Sequence, residues 1–295
     1  MAKYKKFLAE YRAAYAHKGG IKVMALGEID PGWFDQIQRE VSWIIAEQPS
    51  SDVGAKDHTT NWTKPNGVAR QFSLFNATGK SDAYLSDFAP STKVAKKLTF
   101  PNLTAITRFA ALFGADLINL RLNGLGASSG LSLHEESPIT ATPKGRSYRV
   151  RFHLPIFTSE KAKMLLDGEE FNFKAGNLYF FHHGCVHAAV NDDESHRYHF
   201  VLDCELTQDL FVRLFSGPNP SCVDDGLRRL DNAKSAILSK GVPVHFGEFV
   251  TEAGEKITGI DYGRRVPGMS DWYRGNYPSL FRPFDRLISA SARDA

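Results

Sequence analysis

The chain has 295 residues, 42% of them hydrophobic, with 36 Lys and Arg against 33 Asp and Glu for a formal charge of +3. That is apolar content for one large core, and the near-balance of charge excludes the basic excess of a dedicated nucleic-acid binder while suiting small anionic molecules. The lack of a run of about eighteen apolar residues or of an apolar signal core, with an odd three cysteines (Cys185, Cys204, Cys222) outside any C-x-x-C spacing, leads us to expect a cytoplasmic protein with no membrane span, disulfide framework or structural zinc.

In chain order, the N-terminal Met-Ala-Lys-Tyr-Lys-Lys-Phe-Leu reads as the opening of an amphipathic helix. A second helix is predicted from Pro31 to Ile45, behind Asp30-Pro31 as N-cap and first position. Gln48 to Thr63 reads as a polar loop that could fold over a pocket mouth. Ala69 to Asn76 alternates as a strand, Pro101 to Phe113 reads as a helix stopped by Gly114, and Ala115 to Asn123 as the next strand. Ser137 to Ser147, with Pro138, Pro143 and Gly145, is longer than a tight connection needs and is read as a substrate-gating loop or a surface insertion. Lys163 to Phe173 is a β-hairpin turning on Asp167-Gly168.

Beyond residue 205 the polarity pattern changes. Gln208 begins a helix, Gly217 to Ser221 breaks it, and Val223 to Ser239 is predicted as another, with Leu227, Leu230 and Ile237 on one face. The aromatic, proline-rich stretch 270–284 reads as a segment packed across the core, a lid or a homodimer contact; the oligomeric state stays open. The expected organisation is residues 1–205 as a catalytic domain and 206–295 as a mainly helical extension.

The residues that carry chemistry fall on three polar-faced strands. In Leu-His134-Glu135-Glu136, an extended backbone points His134 and Glu136 the same way and Glu135 away. An apolar strand, Asn177 to Phe181, enters a glycine turn that presents His187. Two imidazoles and a carboxylate suit a metal site with open positions, non-heme Fe(II) above all. In Arg197-Tyr-His199-Phe-Val-Leu-Asp203, Arg197 and His199 share a polar face; in Arg149-Val-Arg151-Phe-His153-Leu, Arg149, Arg151 and His153 oppose Val150, Phe152 and Leu154. Alone, such a strand reads as solvated. Three of them together read as the lining of a jelly-roll cavity. Cys185, two residues from His187, reads as a small buried side chain that nearby iron would expose to oxidation.

These motifs (Leu-His134-Glu-Glu136, Tyr-Arg149-Val-Arg151-Phe-His153-Leu-Pro, Gly176-Asn-Leu-Tyr-Phe-Phe, and His187 with Arg197 to Asp203) resemble the aspartyl/asparaginyl β-hydroxylase-like Fe(II)/2-oxoglutarate oxygenases, nearest to the bacterial free L-proline cis-4-hydroxylase type, over about residues 65 to 205. The resemblance implies a mainly β fold with flanking α: a double-stranded β-helix, jelly-roll and cupin-like, between N-terminal and C-terminal helices. It implies that His134 and His187 ligate Fe(II), that Arg197 pairs with the distal carboxylate of 2-oxoglutarate, and that Arg151 and His153 help bind co-substrate or substrate carboxylate, with Arg149 beside them. Glu136 stands where proline hydroxylase-like members have Asp and where some β-hydroxylases have no carboxylate; one methylene longer, it can still complete the triad.

The activity implied is hydroxylation of an unactivated C–H bond of a free amino acid or small derivative, consuming O₂ and 2-oxoglutarate and releasing succinate and CO₂. The alternatives are hydroxylation of an aspartyl or asparaginyl side chain in a peptide, and a cupin barrel that binds metal without oxygenase activity or acts as an isomerase. A distal-carboxylate clamp such as Arg197 has no purpose in a metal-binding barrel without oxygenase activity or in an isomerase.

Overall fold

The alternation that marks the polar-faced strands also builds the fold. The computed structural model describes residues 2–16, 19–52, 61–62, 69–83, 95–127, 129–134, 136, 138–142, 145–185, 187–215, 223–224, 226–243, 248–250 and 256–258. It opens with helix α1 (Ala2–Tyr15), strand β1 (Val23–Ile29) and helix α2 (Pro31–Glu47). Asp30 caps α2 as predicted: its carboxylate accepts from the Trp33 N–H, and Pro31 takes a first-turn position whose amide has no helical partner in any case. Within the stretch predicted as loop, two short strands appear, β2 (Ser51–Asp52) and β3 (Asn61–Trp62); residues 53–60 lie outside the described ones. Then come β4 (Arg70–Asn76), β5 (Lys97–Leu98) and helix α3 (Thr104–Ala111), which ends before Gly114 at φ +55°.

The barrel follows: β6 (Leu117–Leu125), β7 (Ser129–His134), β8 (Ile139–Thr142), β9 (Gly145–Phe157), β10 (Ala162–Leu166), β11 (Glu169–Phe171), β12 (Asn177–Phe181), β13 (His187–Asn191) and β14 (Arg197–Glu205). The larger sheet runs β12-β9-β14-β6 through its centre, and the smaller runs β11-β10-β13-β7. All these pairings are antiparallel. The chain thus alternates between the four central strands of one sheet and four of the other, which is the double-stranded β-helix expected. In the larger sheet β1 pairs with β12 and β4 with β6.

Two expectations need correction. Ser137 to Ser147 is not an open loop: β8 pairs with the start of β9, Ile139 opposite Tyr148 and Thr142 opposite Gly145, because its Ile and Thr residues favour a pleated strand. Val223 to Ser239 is not one helix. It contains β15 (Val223–Asp224), β16 (Leu227–Arg229) and a short helix (Asn232–Leu238). Gly226 at φ +91° breaks helical geometry, and Asp231 caps the helix by accepting from the Lys234 N–H. The helix predicted from Gln208 is present as α4 (Gln208–Phe215), and the Asp167-Gly168 hairpin turns on two positive-φ residues as expected. Of the described C-terminal strands, β16 pairs with β1, and β17 (Val242–Pro243) with β11. Cys222, the 217–221 break and the 270–284 stretch lie outside the described residues.

Period two sends alternate residues of the large sheet into two cores. Val150, Phe152, Leu154, Phe180, Phe200 and Leu202 pack outward against Phe7 and Tyr11 of α1, Trp33, Ile37 and Val41 of α2, and Phe109 of α3. Tyr179, Phe181 and Leu125 point between the sheets, where they meet Met164, Leu166, Phe171, Phe173 and Ala189. Full burial of each large apolar side chain contributes about 1.5–3 kcal/mol. The outer core is therefore what pins the polar residues of the same strands inside the barrel.

Candidate active site

The interior positions of β9 hold Arg149, Arg151 and His153, 8%, 5% and 5% exposed; those of β14 hold Arg197, His199 and Asp203, 6%, 2% and 1% exposed. A solvated strand would leave them open to water, so they line the barrel. Register brings them together: Arg151 pairs with Asp203 and His153 with Val201 across β9 and β14, while His153 faces Tyr179 of β12. In the opposite sheet His187 pairs with His134 on adjacent strands, so the two predicted imidazole ligands sit side by side along the backbone. The His134 side chain is outside the described residues, and among those described no three metal-ligating side chains cluster.

One end of the interior is an ion network. Arg151 presents one edge to Asp203, through Nε to Oδ1 at 2.7 Å and Nη2 to Oδ2 at 3.1 Å. Its other edge meets Glu136, through Nη1 to Oε1 at 2.5 Å and Nη2 to Oε2 at 2.9 Å. Arg149 Nη2 donates to Glu136 Oε2 at 3.1 Å and Arg149 Nε to His183 Nε2 at 3.1 Å. Arg121 Nη2 and Asn119 Nδ2 both donate to Asp203 Oδ2, at 3.2 and 3.1 Å. Burial opposes ionisation of both carboxyls, yet the charge of Arg151 above all overcomes it, holding Glu136 and Asp203 well below the usual carboxylate range. The Glu136 carboxylate therefore rests on the arginines, with its backbone N–H donating to the His183 carbonyl at 3.1 Å.

The other end carries a different cation. Arg197 lies against His199, with Nε 3.0 Å from Nε2 and Nη2 3.0 Å from Nδ1; a neutral imidazole has one acceptor nitrogen, so only one of these is a hydrogen bond. Nη2 also approaches Met164 Sδ at 3.4 Å. No described carboxylate pairs with Arg197, and burial draws its pKa down to about 10. His153 lies 5.0 Å from the Phe181 ring and 5.9 Å from His199, and neither of its ring nitrogens has a hydrogen-bond partner among the described residues. Burial, then the charges of Arg197 and Arg151, hold it neutral, and His199 is held neutral by burial and Arg197. His187 Nδ1 donates to the Cys185 carbonyl at 2.8 Å. That tautomer leaves the lone pair on Nε2, the form a metal ligand needs.

These residues suit an anionic co-substrate such as 2-oxoglutarate, and the donor types of His134, His187 and Glu136 suit Fe(II). The described interior holds four guanidinium groups (Arg121, Arg149, Arg151, Arg197) and two carboxylates (Glu136, Asp203), a surplus of positive charge that suits anionic ligands. Among the described residues, His153 and Arg197 add buried donors that meet no acceptor stronger than a neutral ring or thioether. Sequence reasoning missed three participants: Asp203, which ties Arg121 and Arg151 together; Arg121 itself; and His183, which accepts from Arg149. Their only sequence signal is their parity with the polar faces of β6 and β14 and, for His183, the doublet His182-His183.

The model of the aspartyl/asparaginyl beta-hydroxylase family matches residues 70–206, the stretch from β4 to the end of β14. No curated protein matches the chain. Among solved structures, the non-heme alpha ketoglutarate dependent epimerase SnoN from nogalamycin biosynthesis is 14% identical over 78% of this chain and 97% of its own, with a TM-score of 0.42. A Pseudomonas putida prolyl-4-hydroxylase is 14% identical over 66% of this chain and 99% of its own, at 0.37. HygX from Streptomyces hygroscopicus, with nickel and 2-oxoglutarate bound, is 9% identical over 64% and 84%, at 0.38. These likenesses are loose, and the assignment rests on the family match, which agrees with the motifs: the enzyme is a 2-oxoglutarate-dependent non-heme iron dioxygenase, using Fe(II), 2-oxoglutarate and O₂.

Proposed function

We propose that this dioxygenase hydroxylates an unactivated C–H bond of a free amino acid or small amino-acid derivative in the cytoplasm. The observation that carries the reading is Arg197: a buried guanidinium without a carboxylate partner among the described residues, in a barrel whose neighbouring arginines are paired. A buried, uncompensated charge is costly and is retained where a ligand completes it.

In this reading His134 and His187 hold Fe(II), with Glu136 as the carboxylate ligand once it leaves the arginines. The bound iron, with 2-oxoglutarate and O₂, supplies an oxidant able to hydroxylate the substrate as succinate and CO₂ are released. Arg197 grips the distal carboxylate of 2-oxoglutarate through its planar fork, and His199 fixes the plane of that fork. His153, neutral and without a hydrogen-bond partner among the described residues, donates to a carboxylate oxygen between Arg197 and Arg151. Arg149 and Arg151 hold the substrate carboxylate. Phe173, Tyr179 and Phe181 keep water from this end of the barrel. The oxygenase domain is taken as residues 1–205 and 206–295 as its extension, and the buried Cys185 and Cys204, neither in a disulfide, suit a reducing compartment.

A second reading, hydroxylation of an aspartyl or asparaginyl side chain in a peptide, is favoured by the description of the matched family. Succinate release across the free amino acids and across Asp- and Asn-containing peptides, with product mass, separates the two. A product 16 Da heavier from a free amino acid supports the first reading; turnover with peptides alone replaces it by the second.

A further inference from the structure

Arg197 meets an imidazole of its own strand and a sulfur from the other sheet. Period two on β10 sends Met164 and Leu166 into the core between the sheets, Leu166 opposite His187 and Met164 opposite Ala189. Met164 is 4% exposed, and Arg197 Nη2 donates to its Sδ at 3.4 Å. A thioether is a weak acceptor. It covers the guanidinium without neutralising it, which leaves that edge of the cation to any stronger acceptor. The same sulfur is open to a covalent change, since methionine is oxidised to a sulfoxide that is polar where the thioether is apolar.

We propose that Met164 is an oxidation site that closes the Arg197 end of the barrel: its sulfoxide oxygen takes the guanidinium hydrogen bonds that a ligand carboxylate would otherwise take. The oxidant is hydrogen peroxide. The sulfur lone pair attacks one peroxide oxygen, the O–O bond breaks and an S–O bond forms. The departing oxygen collects the proton left on the transferred one and leaves as water; sulfur gives up two electrons and the peroxide gains them. The new oxygen sits one bond from Sδ, and Sδ already lies 3.4 Å from Nη2, so it is within reach of the cation. A hydrogen bond from an ionised donor to that oxygen is stronger than the thioether contact it replaces. Arg197 thereby gains a partner inside the protein, and its affinity for an anion falls. That this anion is 2-oxoglutarate rests on the clamp reading above; the modification and its contact with Arg197 rest on the position of Met164. Met24, the other described methionine, packs against the outer core on β1 and serves as an internal standard.

The test treats the full-length, chelator-stripped protein with hydrogen peroxide, removes the peroxide with catalase, reduces the cysteines with dithiothreitol and titrates 2-oxoglutarate after reloading with Fe(II) under nitrogen. Peptide mapping reads the gain of about 16 Da at Met164 and at Met24. Met164 is expected to take up the oxygen, and complete conversion to weaken 2-oxoglutarate binding about tenfold or more, the worth of one charge-assisted hydrogen bond. Dithiothreitol should not restore it, because a sulfoxide resists the thiols that reduce cysteine sulfenates and disulfides. Met164→Leu, close in volume, should show no peroxide-dependent change against its own untreated sample. Met164→Gln brings an amide oxygen near the guanidinium without any oxidant and should weaken 2-oxoglutarate binding while the urea midpoint of the metal-free protein is kept, a combination that damage to the core would not give; if it does not fold, the peroxide arm decides alone. Conversion of Met24 with Met164 left intact, full oxidation of Met164 with unchanged affinity, or an equal loss in Met164→Leu overturns the proposal. Arg197→Gln separates the two readings. If it weakens 2-oxoglutarate binding while oxidised Met164 does not, the clamp stands and the oxidation site falls; if it leaves the affinity unchanged, the clamp reading falls and this proposal with it.

Discussion

Arg151 and Arg197 lie on neighbouring strands of one sheet, point into the same barrel and are buried to the same degree, yet their surroundings are opposite. Arg151 has Asp203 on one edge and Glu136 on the other; burial works against its charge, but the two carboxylates more than reverse this and raise its pKa. Arg197 has neutral His199 and Met164, and burial draws its pKa to about 10. Arg151 is neutralised by two carboxylates of the protein. Arg197 has no carboxylate partner among the described residues, and we propose that a ligand neutralises it. Leaving a buried charge unmatched costs several kcal/mol, so on the proposed reading the contrast between the two arginines marks where the chain gives up stability for binding.

The largest effect is expected at the metal pole that gives this contrast a purpose. Removing either imidazole by His134→Ala or His187→Ala should cost about a hundredfold or more in iron affinity and abolish turnover; iron content after gel filtration and succinate release check it, and full iron in either variant would show that the histidines are not the ligands. Next, the two arginines should respond oppositely to the same substitution. Arg151→Met takes from Asp203 and Glu136 the cation they share and should destabilise the metal-free protein by about 3–5 kcal/mol, whereas Arg197→Met removes a charge without a described carboxylate partner and should be neutral or stabilising. Urea unfolding of the two variants reads this directly, and equal destabilisation would erase the distinction.

The pH dependence sharpens it further. Asp203 has its carboxyl held well below the usual range in the folded protein, so it stabilises the fold fully above about pH 5 and that contribution is lost as pH falls below about 4, through the unfolded value towards the folded one. The free energy of unfolding of the wild type should therefore fall more steeply below about pH 4 than that of Asp203→Asn. Parallel slopes would mean that Asp203 is not the fixed counter-ion described. The smallest effect is expected at Tyr11, whose hydroxyl donates to the Arg149 carbonyl at 2.6 Å from α1. Tyr11→Phe should cost about 1–2 kcal/mol of stability with 2-oxoglutarate affinity unchanged, because it touches the backbone of the paired arginine and not the bare one.

The polar faces of β9 and β14 were readable because alternation at period two needs only neighbours in sequence: Val150, Phe152 and Leu154 announce the opposite face of Arg149, Arg151 and His153. Whether that face meets water or a cavity was not readable from β9 alone; the convergence of three such strands supplied it. Asp203 was visible only as the end of a motif, since its partners Arg121 and Arg151 come from strands 82 and 52 residues away and reach it through register. The Glu136 carboxylate could be placed near His134 by its i, i+2 spacing, but its pairing with Arg149 and Arg151 depends on which charge lies closest in space. The hairpin at Ser137 to Ser147 was obscured by Pro138, Pro143 and Gly145, which read as loop although Ile139 to Thr142 is a good strand. Gly226 was the overlooked break in the supposed helix at Val223 to Ser239.

The most direct measurement is the affinity of 2-oxoglutarate for the Fe(II)-loaded protein under nitrogen, compared between wild type, Arg197→Gln and Arg197→Lys. With Arg197 as the ligand-completed cation, Arg197→Gln should weaken binding by about 2–5 kcal/mol, and Arg197→Lys should recover part of that because an ammonium cannot reproduce the two-pronged fork. Unchanged affinity in Arg197→Gln would contradict the account and transfer the clamp to Arg149 or Arg151.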